Sequence, residues 1–112
     1  MTEPENPRRW PRAQRFALST TGADCEAEYR SRIVASRQEV GRASYDSARA
    51  AWALDYSLQP DDGLYLGEVR SGPISLGEMV ESLDSCGKTH RDALSALGRL
   101  LDRGLITVVA GR

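Results

Sequence analysis

The sequence predicts a mainly α-helical domain of about five helices with a minimal β-hairpin. Three observations carry that prediction. Ser75 with Glu78, and Thr89 with Asp92, set a hydroxyl and a carboxylate three residues apart, the spacing at which each satisfies a free amide at a helix start. Behind both caps, apolar residues recur at the helical period. After Gly104, the run Leu105-Ile106-Thr107-Val108-Val109 is β-branched and reads as a strand.

Taken in order, residues 1–20 are rich in Pro, Glu and Arg with no sustained period, and read as a flexible basic arm. Its centre is Arg8-Arg9-Trp10-Pro11-Arg12, with Arg15 beyond. From Thr21, capped with Asp24, the residues Cys25, Tyr29, Ile33 and Val40 follow at helical spacing until Gly41 stops the helix. Glu26 with Arg30 and Glu28 with Arg32 are i, i+4 pairs that mark the solvated side. The apolar stripe is narrow, which suits a helix–helix seam against the rest of the chain or across a two-fold axis. Ser44 can cap the next helix, lined by Tyr45, Ala48, Ala51, Trp52 and Tyr56 and widened by Ala50, Ala53 and Leu54. Trp52 belongs in the core, because large aromatics dominate burial energy in small domains. Residues 21–58 therefore read as a helical dimerisation segment.

Gln59-Pro60-Asp61-Asp62-Gly63 is a break, and either aspartate can cap a helix beginning there. In Leu64 to Arg70 the residues Leu64, Leu66 and Glu68 alternate like a strand and Gly67 weakens a helix by ~1 kcal/mol, but a helix is preferred because Tyr65, Leu66 and Val69 then share one face. Gly72-Pro73 ends it, and Ile74 is placed to pair as a short strand with Leu105 to Val109. Leu76, Met79, Val80 and Leu83 form the buried stripe of the first capped helix. In the second, the stripe is Ala93, Leu94, Leu97, Leu100 and Leu101, and Gly104 stands where a left-handed residue closes the helix.

Capped short helix, polar turn, longer capped helix, Gly-Leu-Ile and strand, preceded by Gly-Pro-Ile, resembles the winged helix-turn-helix domain of bacterial transcriptional regulators. The resemblance makes residues 59–112 the winged helix-turn-helix body, preceded by N-terminal helices. It implies sequence-specific binding of double-stranded DNA, with the second capped helix in the major groove. Opposite the leucines of that helix lie Arg91, Ser95, Arg99 and Asp102, with Lys88 and Thr89 just ahead. Arg91 could bond guanine bidentately and Ser95 could reach a base or phosphate, while Lys88 and Arg99 suit the backbone. Arg8, Arg9 and Arg12 could reach phosphates or the minor groove, or serve solubility alone. Two features depart from the family. Leu83 to Gly104 is longer by about one helical turn, and the chain stops at Gly111-Arg112 where a wing should turn and return. A truncated wing is expected, with the arginine cluster standing in for it.

At 112 residues and 40% hydrophobic content, the core is small and a homodimer would supply additional buried surface. The net charge of −1 weakens any generic attraction to nucleic acid. No stretch approaches the ~18 to 20 apolar residues of a membrane span, and no signal peptide is evident, so a cytoplasmic, nucleoid-associated protein is expected. Cys25, Cys86 and His90 have no metal-ligand spacing, and no cofactor motif is present. One histidine and no nucleophile triad argue against an enzyme. His90, beside Leu94 and Leu97, is expected to be half-buried, and Cys86, near Lys88 in the turn, to be an inert or a redox-sensitive thiol. The alternative function is a winged helix reused as a protein–protein interaction module, which the near-neutral charge and missing wing would suit.

Overall fold

The computed structural model describes residues 10–36 and 42–109. Its elements are β1 (Arg15–Leu18), α1 (Thr20–Ser36), α2 (Arg42–Tyr56), α3 (Asp62–Arg70), β2 (Ile74–Ser75), α4 (Leu76–Asp84), α5 (His90–Asp102) and β3 (Ile106–Val109). The chain is mainly helical, with a small antiparallel sheet in the order β2-β1-β3.

That order corrects two expectations. The arm does not extend to Thr20, since residues 15–18 are the middle strand of the sheet, and Ile74 does not pair with β3, because β1 stands between them. Phe16 faces Ile74 on one side and Val108 on the other, while Arg15 faces Ser75 and Val109. Phe16 is fully buried, and Trp10 packs edge-on against it at 5.0 Å between ring centroids. The residues just before β1 are also tied down. Leu76 N–H donates to the Gln14 carbonyl at 2.8 Å and Gly77 N–H to that of Arg12 at 2.9 Å, so this turn satisfies two of the free amides at the start of α4.

Helix α1 starts a little earlier than Thr21, because Ser19 is its cap and accepts from Gly22 N–H at 2.9 Å. Gly22 is required here for a different reason. A Cβ on it would stand 1.7 Å from the Leu105 carbonyl oxygen, so only glycine lets α1 lie against the chain entering β3. Cys25 and Ile33 are buried as expected, whereas Val40 and Gly41 lie outside the described residues. Glu26 departs from its expected place on the solvated side. It is buried, with both carboxylate oxygens 2.9 Å from Arg30 Nε and one 3.9 Å from Arg70 Nε, so two guanidinium groups compensate its desolvation. Glu28 does stay near the surface, and its partner Arg32 also reaches Asp55 at 2.7 Å.

Ser44 lies inside α2 rather than capping it. Trp52 is fully buried, donating from Nε1 to the Cys25 carbonyl at 3.2 Å and meeting Tyr29 edge to face at 4.7 Å. Burial around this seam pushes the Cys25 thiol up to about 11. The seam between α1 and α2 thus closes within one chain, and its core is continuous with Tyr65, Leu97 and Ile106. Ala50 and Leu54 point outward instead of widening the buried side, Leu54 being 81% exposed, and Ala51, expected on the apolar line itself, is exposed as well.

Tyr65, Leu66 and Val69 are buried on one face of α3, in accord with the helical reading. Both capping boxes form. Ser75 and Glu78 exchange bonds of 3.0 and 3.1 Å, and Thr89 and Asp92 bonds of 2.9 and 3.1 Å. Leu76, Met79 and Leu83 of α4 meet Ala93, Leu97 and Leu100 of α5 in the core, with Ala96 widening the stripe. Gly104 takes φ +71°, and Leu105 N–H closes the helix on the Leu100 carbonyl at 2.9 Å. Among the described residues no helix is long and apolar enough to cross a membrane.

Since Phe16 fills the core from the middle strand, Phe16→Ala should lower the unfolding free energy by ~3–5 kcal/mol in urea titrations. Arg15→Ala, one residue earlier and exposed, should change it by about 0.5 kcal/mol or less. Equal and small effects of the two would mean that the segment is an arm after all.

Candidate nucleic-acid interface

The turn from α4 to α5 is closed by Cys86 N–H and Lys88 N–H on the Leu83 carbonyl, at 3.0 and 3.2 Å, with Gly87 at φ +79°. A residue other than glycine would be strained there. This turn and the Thr89 cap orient α5 so that Ala93, Ala96, Leu97 and Leu100 are buried while Arg91, Ser95 and Asp102 are exposed. Arg91 has no ion pair and Ser95 no hydrogen-bond partner through its side chain among the described residues.

The other basic groups expected on this surface are engaged internally. Arg99 Nε and Nη2 each donate at 2.8 Å to a carboxylate oxygen of Asp62, in a parallel fork. Asp62 is fully buried and also accepts from Gln59 N–H at 2.9 Å. It anchors the first turn of α3 to the middle of α5, and its hydrogen bonds, with its charge, raise the Arg99 pKa further. Lys88 Nζ donates to Asp61, whose other oxygen accepts from Arg49 of α2. Lys88, donating, holds the Asp61 carboxyl below its usual range, and Arg49 adds to the effect. Lys88 and Arg99, expected as phosphate-backbone contacts, are thus engaged as structural cations, because two adjacent acids at the start of α3 lie within reach of them.

Thr89 uses its hydroxyl on Asp92 N–H. Arg12 sits against the first turn of α4, with Nη2 3.5 Å from the Gly77 carbonyl and 3.4 Å from Glu81, both it and Glu81 being largely exposed. Arg8 and Arg9 lie outside the described residues. His90 is exposed rather than half-buried, since it is the first residue of α5 and stands ahead of Ala93, where burial begins. Cys86 is exposed in the turn. Sequence reasoning took Asp61 and Asp62 as helix caps and missed their ionic role, for which two acids in one Pro-Gly break were the only local signal.

The structure thus brings Arg91 and Ser95 onto one free helical face and withdraws Lys88 and Arg99 from it. Comparison with protein-family models, curated proteins and solved structures finds no match for this chain, so the function rests on these residues alone.

The ion pairs have measurable consequences. Arg99→Met, which leaves the Asp62 carboxylate buried with one amide partner, should cost ~3–5 kcal/mol of unfolding free energy in urea, against about 0.5 kcal/mol or less for Arg91→Ala. Folding depresses the Asp61 pKa below its ordinary 3.8, so the pairing contributes fully above that value and is lost as falling pH protonates the carboxylate. Thermal melts from pH 6 downward, at about pH 4 and below, should accordingly show a shallower acid decline in Asp61→Asn than in the parent chain.

Proposed function

We propose that this chain binds double-stranded DNA sequence-specifically as a transcriptional regulator, using a winged helix-turn-helix arrangement in which α5 reads the major groove. The carrying observation is the free face of α5, where Arg91 and Ser95 project from the N-terminal half of a helix whose opposite side is locked into the core. That is where a reading helix meets base edges. Arg91 supplies a planar bidentate donor suited to guanine, and Ser95 a short hydroxyl for a base or phosphate.

The sheet supports the same reading. A winged helix closes its sheet with a strand that returns from the wing; here the strand between β2 and β3 is the N-terminal β1, which would stand in for it. At the end where β1 begins and β3 ends, Arg15 lies opposite Val109, and the Gln14 side chain bridges to the Val109 carbonyl at 3.1 Å. Arg12 precedes this point, so a basic approach to the DNA backbone would come from the end where a wing would stand. We assign the chain a binding role rather than an enzymatic one, without a cofactor, acting at the nucleoid.

One observation favours a second reading, in which the same fold is a protein-interaction module. With Lys88 and Arg99 neutralised by Asp61 and Asp62, few free cations remain around α5 among the described residues. Dimerisation, which would offer two copies of α5 to a palindromic site, would use surface outside the closed α1–α2 seam, where Val34, Leu54 and Val108 are the large exposed apolar residues among those described. Sedimentation at tens of micromolar tests it.

Selection from a random duplex pool, followed by a salt titration, decides between the two. Arg91→Ala should lose ~1–3 kcal/mol of preference for one base. Lys88→Ala should leave the salt slope nearly unchanged, because its ammonium already faces Asp61. Failure to enrich any duplex would remove the DNA reading and leave the interaction module.

A further inference from the structure

The two ionic pairs beside α5 differ in what they contribute to the fold. Asp62 is fully buried, and without the Arg99 fork its charge would stand desolvated, so that pair is a requirement of the core. Asp61 is not in that position. Its side chain is 45% exposed, and Arg49 of α2 already supplies a cation to its carboxylate, so water and one guanidinium suffice for it. Lys88 adds a second cation to a charge already met. An ammonium so placed contributes little stability, because partly exposed ion pairs are weak.

The pairing matters more for where the ammonium stands. Lys88 is the last residue before the Thr89 cap, at the end of α5 where backbone contacts flank a reading helix. It borders the same cleft as Ser95, which belongs to the exposed face of α5. Its side chain is only 23% exposed, because it lies on Asp61 at the start of α3 instead of extending into solvent. A free lysine this close to the reading face would neutralise a phosphate of any sequence. Asp61 therefore decides whether that contact is available, and unlike Asp62 it can be made neutral without stranding a buried carboxylate.

We propose that Asp61 restrains sequence-independent binding of nucleic acid, acting through Lys88: by holding the ammonium it withholds one phosphate contact and leaves the affinity of α5 to its base contacts. The inference rests on the DNA reading of α5 and adds to it a positioning residue that lies outside that helix. It is tested on the full chain with two duplexes, the enriched site and a scrambled one, each over a salt titration. Asp61→Asn, whose amide can still accept from Arg49, should bind both duplexes several-fold more tightly at low salt, steepen the salt slope by about 1 and leave the preference between them unchanged. Loss of a negative charge would by itself tighten binding, so the control is Asp61→Asn combined with Lys88→Ala, which should return the slope to that of the parent chain. The Lys88 side-chain resonances should move on addition of scrambled duplex to Asp61→Asn and stay in place in the parent, a difference that a purely structural ion pair would not produce. Movement of those resonances in the parent, equal slopes for the parent and folded Asp61→Asn, or a steepened slope that survives Lys88→Ala would each overturn the proposal and leave the DNA reading standing. Failure to enrich any duplex would instead remove that reading, and the proposal with it.

Discussion

The insertion of β1 between β2 and β3 is the constraint on which the rest of the molecule depends. Neither outer strand pairs with the other, so the sheet exists only because residues 15–18 bridge them. The same short segment delivers Phe16 to the core and, through the carbonyls of Arg12 and Gln14, satisfies the first amides of α4. Leu76, the first residue of α4, is thereby fixed relative to β1, and α4 in turn carries the turn that orients α5. The position of Arg91 is thus set by a strand 76 residues earlier in the chain. A pairing of that range costs loop-closure entropy, which the burial of Phe16 and Trp10 helps to offset.

A second set of constraints is ionic. Asp62, fully buried, ties α3 to α5 through a fork with Arg99, and Asp61 joins Arg49 of α2 to Lys88 beside α5. Buried pairs of this kind rarely stabilise more than a well-packed apolar pair would, because desolvation of the charges offsets their attraction. Their value lies in geometry. A guanidinium fork has one good orientation on a carboxylate, so it fixes the rotation of α5 about its axis more sharply than leucines on a smooth face can. That rotation decides which residues of α5 meet solvent.

Local features were legible in the sequence and distant ones were not. Both capping boxes and the stripes of α4 and α5 are written within one or two helical turns, and each forms as the spacing predicts. Trp52 was assignable to the core from its size alone. β1 was not legible, because four residues with one aromatic side chain in a basic context carry no period, and their partners lie about 60 and 90 residues away. Glu26 resembled a solvated i, i+4 partner, since nothing near it in sequence announces Arg70. At the candidate interface, Arg91 and Ser95 were legible as an exposed face because helical projection is local arithmetic. The withdrawal of Lys88 and Arg99 was not, for it depends on α3 docking two aspartates against α5. Gly22 is the same case in the backbone. Its need for a missing side chain arises only when Leu105 arrives.

The ionic constraint and the proposed reading face bear on each other. Phosphate attraction grows with the number of cations free to displace counterions, and Asp61 and Asp62 remove two from the neighbourhood of α5. A helix so arranged gains little general affinity for nucleic acid. What remains, among the described residues of that face, is the unpaired Arg91, on a helix that the Asp62 fork ties to α3. Discrimination between bases depends on orientation more than on charge, because a bidentate contact is formed only when both nitrogens reach their acceptors together. The acids that weaken the electrostatic case for binding DNA thus define the surface that a specific contact would need. A partner protein would meet the same rigid face, and salt dependence rather than shape separates the two.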